Sequence, residues 1–186
     1  MATATQKRDS PDDLLRISSK PMPELVNGRL VRRPLTGQQS AAIGMKLAGR
    51  LLTYSETIHP GMVLGSEGSF QIFPDDPNKV RIPDVSFTRL ERLPDQKPVA
   101  GHGKIRPDLV AEIVSPNDRA EKLHLKIRDY VAAEIPLILV VYPLAREVEM
   151  ISGVGPVIFL KEGDTIDGGD ILPGFSCPVS VLFDGI

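Results

Sequence analysis

Apolar positions along the chain fall into short blocks whose spacing changes from one block to the next. "DLVAEIV" (108–114) and "LILVVY" (137–142) are unbroken β-branched and aliphatic runs, the pattern of strands covered on both faces. Between them, "NDRAEKLHLKIRDYVAAE" (117–134) places Leu123, Ile127, Tyr130 and Val131 at i, i+4, i+7 and i+8. That spacing predicts one buried stripe on a helix. Strand, helix, strand in this order predicts a parallel crossover.

The earlier half reads differently. In "ELVNGRLV" (24–31), Asn27-Gly28 between short apolar runs predicts a type I′ hairpin. "TGQQSAAIGMKLAGRLLTYSE" (36–56) predicts a helix through Ile43, Leu47 and Leu51, although Gly44 and Gly49 weaken it. "SPDDLLRISS" (10–19) predicts a short helix, with Ser10 as N-cap and Pro11 at the first turn. "GSFQIFP" (68–74) and "KVRIPDVSFT" (79–88) are expected as strands joined by the turn "PDDPN", and "ERLPDQKPVAGHGKIRP" (91–107) as a loop. "EVEMIS" (147–152) and "PVIFL" (156–160) predict a late hairpin around "GVG", followed by a turn-rich C-terminal stretch. Residues 1–9 read as a flexible tail and 10–186 as a single domain.

Composition narrows the class. The chain has 186 residues, 41% hydrophobic and 25% charged, ordinary for a globular domain with a sizeable core. With 17 Pro and 16 Gly it is turn-rich. Its formal charge of −2 argues against a nucleic-acid coat protein but not against a local basic patch. Cys177 is the single cysteine, so no internal disulfide is available. No apolar run reaches the roughly 20 residues needed to span a bilayer, and a soluble cytoplasmic protein is expected.

Standard catalytic signatures are missing. "GSEGS" has the wrong spacing for a nucleophile elbow, and "GHGKIR" and "GVGPVI" stop at two glycines. His59, His102 and His124 have no paired metal-ligand spacing. Ser115 reads as a turn residue. The chemistry that remains is acidic. Period-two alternation puts Asp84 on one strand face with Ile82 and Ser86, and Glu112 on one face with Val110 and Val114. An ionised group among such neighbours is costly unless paired or metal-bound. Two carboxylates on adjacent strands form a hard oxygen site suited to Mg²⁺ or Mn²⁺.

On the helix, Lys126 lies about 40° from Tyr130 and about 60° from Leu123 at ~100° per residue. It therefore borders the buried face, and its stem can carry the ammonium along the core toward a polar pocket. A structural ion pair with Glu112 is the plainer reading of the same spacing. Arg81, Arg106, Arg119 and Lys122 are candidate phosphate contacts, and Arg32 and Arg33 read as a solvated strand end.

"IPDVSF", "PDLVAEIVSP", the helical "KIRDY" and "LILVVYP" in this order resemble the PD-(D/E)xK nuclease superfamily. Within it the chain is most similar to the Uma-type family of restriction-endonuclease-like proteins, best known from cyanobacteria. "ELVNGRLV" and "GDTIDGGDILPGF" extend the likeness over roughly residues 20–184. The resemblance implies an α/β fold, a restriction-endonuclease-like mixed β-sheet with an α-β-β-β-α-β core plus N-terminal and C-terminal β-hairpins. It implies Asp84 as the "PD" aspartate, Glu112 as the second acidic residue and Lys126 as a lysine displaced onto the helix. Val114 stands where the motif's lysine would be. Ser40, Tyr142 and Pro23 replace a His, an Asp and a Tyr frequent in the family.

The implied activity is hydrolysis of DNA phosphodiester bonds by an Mg²⁺- or Mn²⁺-dependent endonuclease, with Asp84, Glu112 and the Ile113 carbonyl as metal ligands and Lys126 beside the attacking water. A homodimer is the assembly expected of a duplex cutter. The alternative is an inactive nuclease-fold module that binds nucleic acid or a protein partner. Glu24 and Glu67 occupy family-like acidic positions without a readable role.

Overall fold

The computed structural model describes residues 8–18, 21–153 and 155–186. Most of the expected flexible tail (1–7) and the centre of the "GVG" turn at 154 lie outside the described residues. Asp9, at the tail's end, donates its N–H to the Gly28 carbonyl. Helix α1 (Pro11–Leu15) forms with Ser10 and Asp13 in a reciprocal capping box. Strands β1 (Glu24–Val26) and β2 (Arg29–Val31) make the expected hairpin. Asn27 and Gly28 at its tip both have positive φ, 52° and 70°, as a type I′ turn requires.

Helix α2 (Gln38–Thr57) is followed by β3 (Gly61–Leu64), β4 (Val85–Arg89), β5 (Leu109–Ile113), α3 (Ala120–Ala132) and β6 (Leu137–Tyr142). This is the expected α-β-β-β-α-β order. Strands β7 (Glu147–Ser152) and β8 (Ile158–Leu160) complete one mixed sheet in the order β3-β4-β5-β6-β7-β8. Only β5 and β6 run parallel, joined through α3. A C-terminal hairpin, β9 (Thr165–Asp167) with β10 (Ser176–Pro178), leads into α4 (Val179–Phe183). No helix among the described residues is long and apolar enough to cross a membrane.

Period two in the central strands sorts the core into two layers. Leu109, Ala111 and Ile113 face one side with Val85 and Phe87, and pack against Ile43, Leu47, Leu51 and Tyr54 of α2. Val110 and Ile138 face the other side, against Phe73, Tyr130 and Ala133.

Four expectations change. "GSFQIFP" is no continuous strand; Phe70 makes isolated bridges to Arg81 and Gly103. "KVRIPDVSFT" is split, because Pro83 has no N–H to continue a ladder; Val80 bridges to Leu25, and β4 begins only at Val85. Strand β3, unforeseen, sits at the sheet edge, where Gly61 lies flat on the Phe87 ring. Finally, Val131 is 52% exposed. The face of α3 toward the sheet keeps Ile127 and Tyr130, packed by Val110 and Ile138, and adds Lys126 and Asp129, which reach charged partners.

Candidate active site

Asp84 and Glu112 owe their positions to strand register. Val85 pairs with Ala111 across the antiparallel β4–β5 ladder, so one step further Asp84 stands across from Glu112. Asp84 is anchored to the residues on either side of Glu112 by one main-chain and one side-chain bond. Its N–H donates to the Ala111 carbonyl (3.1 Å), and its Oδ2 accepts from the Ile113 N–H (2.9 Å). The Ile113 N–H of β5 thus fixes the orientation of the carboxylate.

Glu112 is 6% exposed. Lys126 Nζ lies 2.8 Å from its carboxylate, and the Tyr130 hydroxyl donates to Oε1 at 2.7 Å. Lys126 and Tyr130, one helical turn apart, therefore grip both oxygens from above the sheet. Lys126 also donates to the Ile82 carbonyl (2.8 Å) and pairs with Glu24 Oε1 (3.0 Å). Asp84, Glu112, Ile113 and Lys126 all line one cavity of about 480 Å³.

Behind this group runs an ion chain that sequence reasoning missed. Glu24, at the start of β1, takes Arg81 Nη1 on Oε2 (2.7 Å) and the Ile82 N–H on Oε1 (3.1 Å). Arg81 reaches Asp129 through Nε (2.8 Å) and Nη2 (2.5 Å). Lys79 bridges Asp129 (2.7 Å) and Asp75 (2.6 Å). The only available signal was Glu24 itself, a carboxylate opening an apolar strand.

The candidate phosphate contacts separate accordingly. Arg81 is 6% exposed and fully committed, so it is no free phosphate ligand. Arg106 pairs with Glu134 outside the cavity, whereas Arg119 and Lys122 line it. Arg33 corrects the expectation of a solvated strand end. Its side chain is 11% exposed, with Nη2 3.3 Å from Asp84 Oδ1 and Nη1 2.7 Å from the Ser66 carbonyl. Ser40 donates to the Val114 carbonyl and Tyr142 to Glu149, both structural bonds. Glu67 is exposed and does not line the cavity.

Burial and charge set the protonation states. Burial pushes the Glu112 carboxyl up, Asp84 and Glu24 add to the push, and Lys126 only partly counters it; the result is about 7. Burial would also raise Glu24, but Lys126 and Arg81 outweigh it and hold that carboxyl below its usual value. Burial alone would lower Lys126; Glu112, Glu24 and Asp84 together lift it instead, so it stays protonated. Tyr130 is raised well above its usual range by burial and by Glu112.

Among the described residues, no group of three or more His, Cys, Asp or Glu side chains is placed to hold a metal ion. An Mg²⁺-like ion needs fewer, since it is commonly held by one or two carboxylates and keeps several waters. Asp84 and Glu112 fit that requirement. The Glu112 carboxyl is raised chiefly by its burial, with Asp84 and Glu24 adding to the effect.

Fold and site together define a restriction-endonuclease-like protein: a mixed sheet in α-β-β-β-α-β order, two carboxylates on adjoining strands, and a lysine delivered by the crossover helix. The chain belongs to the Uma2 family, described as "Putative restriction endonuclease", whose family pattern matches residues 11–180. The fold is also that of a solved protein described as a "putative nuclease belonging to DUF820" from Anabaena variabilis ATCC 29413. The two superpose with a TM-score of 0.80 at 16% identity, covering 94% of this chain and 97% of that one. No curated protein matches the chain.

Proposed function

We propose that this protein is a divalent-metal-dependent endonuclease that hydrolyses phosphodiester bonds of DNA. One observation carries the reading: Asp84, Glu112 and the Lys126 ammonium converge on one cavity, Lys126 Nζ being 2.8 Å from Glu112. Family membership supports the same chemistry.

In this reading Asp84, Glu112 and the Ile113 carbonyl would hold Mg²⁺ or Mn²⁺. The bound ion would polarise the scissile phosphate and lower the pKa of a coordinated water. Lys126 stays protonated, so it serves as a fixed positive charge and hydrogen-bond donor toward the phosphate and the attacking water, not as a base. Glu24 and Glu112 hold its ammonium from two sides, which orients it before substrate arrives. Tyr130 keeps Glu112 in place while donating its only proton to Oε1. Arg119 and Lys122, on the cavity wall, suit contacts to flanking backbone phosphates, which position a strand without reading its sequence.

The test is cleavage of supercoiled and linear DNA with Mg²⁺ or Mn²⁺, by wild type and by Asp84→Ala. Metal-dependent cutting by wild type, reduced at least a hundredfold in the variant, is expected. Equal activity in both removes Asp84 from the chemistry. The second reading, a binding module that does not cut, is favoured by one observation: both oxygens of Glu112 already have protein partners. Calorimetry separates the two, because an inert module shows no Mn²⁺ site that Asp84→Ala removes.

A further inference from the structure

Asp84 presents two oxygens, and they are not equivalent. Oδ2 accepts from the Ile113 N–H at 2.9 Å, so Oδ1 is the oxygen with more of its lone-pair capacity left for a cation. That same oxygen is the one Arg33 Nη2 approaches at 3.3 Å. A guanidinium and a metal ion would compete for that oxygen, because their charges repel at short range inside a protein.

Of the cationic side chains lining the cavity, Arg33, Arg81 and Lys126 touch carboxylates, and the last two are locked. Lys126 has Glu112, Glu24 and the Ile82 carbonyl as partners. Arg81 makes three charge-assisted bonds, to Glu24 and Asp129. Arg33 is held more loosely, by the 3.3 Å contact to Asp84 and one carbonyl, that of Ser66. It also sits on the 32–37 strap between β2 and α2, which has no helical or strand ladder of its own, whereas Arg81 is tied into the bridge with Phe70 and Lys126 into α3. Arg33 is therefore the cation able to leave.

We propose that Arg33 is the resident counter-ion of Asp84 and that an entering divalent cation displaces it, so the strap sets the metal affinity of the site. Displacement leaves the guanidinium in a cavity it shares with Arg32, Arg119 and Lys122. There the matching partner for a planar fork of N–H donors is a phosphate oxygen. Metal entry and binding of a phosphate-bearing strand are thereby coupled: the first frees the arginine that the second uses. The inference rests on the metal-site reading of Asp84 and Glu112.

Titration calorimetry with Mn²⁺ alone tests it, on wild type, Arg33→Met, Arg33→Gln and Arg33→Lys, each first shown to unfold cooperatively in urea. The neutral variants are expected to bind Mn²⁺ about fivefold more tightly than wild type, equivalent to ~1 kcal/mol. Arg33→Lys, which keeps the charge, is expected to stay within about twofold of wild type by the same arithmetic. Wild-type binding that is unchanged or weakened in both neutral variants overturns the role of Arg33 while leaving the metal site standing. An absence of Mn²⁺ binding in all four proteins overturns the metal site, and the role of Arg33 with it.

Discussion

Glu112 makes the stability of the metal-free protein depend on pH in a direction opposite to that of ordinary carboxylates. Its carboxyl moves from the unfolded value of 4.5 to about 7 in the fold, chiefly through burial. A folded value above the unfolded one means that the fold prefers the protonated form. The stabilisation is fully present below 4.5 and is lost as pH rises through about 7. At ~1.36 kcal/mol per tenfold change in affinity for the proton, the whole effect is on the order of 3 kcal/mol. Most of it is lost between pH 5 and pH 8.

The perturbation that isolates this group is Glu112→Gln. Replacing the carboxylate shifts the entire curve, because the pairing with Lys126 and Tyr130 changes, but that offset is the same at both pH values. Lys126 stays protonated throughout the range, so it adds no slope. The assay is urea unfolding in EDTA at constant ionic strength, at pH 5 and pH 8, for both proteins. Other titrating groups are shared, so the difference between the two profiles belongs to Glu112. Wild type is expected to lose on the order of 2–3 kcal/mol more than the variant over this interval, roughly 5–10 °C in melting temperature for a chain of this size. Profiles parallel to within about 0.5 kcal/mol, the usual additivity error, would refute the claim that Glu112 is buried beyond its compensation.

Two further changes probe what surrounds the site. Arg81→Met strands Glu24 and Asp129 without their shared cation, and urea unfolding should show a loss of about 3–5 kcal/mol at pH 7; the loss should shrink toward pH 4, as Glu24 is released from the charge that holds it ionised. Gly61→Ala places a Cβ about 2.1 Å from the fully buried Phe87 ring, and differential scanning calorimetry should register a cost of about 1–3 kcal/mol, with an unchanged melting temperature counting against the close approach.

How much of this was legible follows from where each signal resides. The adjacency of Lys126 and Glu112 is legible because a strand and the helix after it obey fixed periods, and both residues break apolar patterns. The hairpin tip is legible because Asn27-Gly28 at positive φ is a local requirement. Glu24, Arg33 and Asp129 are not legible, because their partners come from distant elements and only the folded sheet brings them together. Strands β3, β9 and β10 escape notice for a different reason. They are three or four residues long, too short for alternation to show, and packing such as that of Gly61 on Phe87 specifies them instead.

The misread stripe of α3 has a wider consequence. Within that helix only Tyr130 is buried; Ile127 packs beside it on Val110 and Ile138, and the rest of its attachment runs through Lys126 and Asp129 to Glu112, Glu24, Arg81 and Lys79. A helix of this length could be docked by an apolar stripe at least as stably, since well-packed hydrophobic residues commonly match or exceed buried ion pairs. Stability alone therefore gives no reason for the charges. Five carboxylates (Glu24, Asp75, Asp84, Glu112, Asp129) face four cationic side chains (Arg33, Lys79, Arg81, Lys126) in this network. Glu112 is the carboxyl driven to about 7, by burial first and by its neighbours Asp84 and Glu24 second. A fold that docks its crossover helix partly through a buried carboxylate has linked its packing to the charge state of that group.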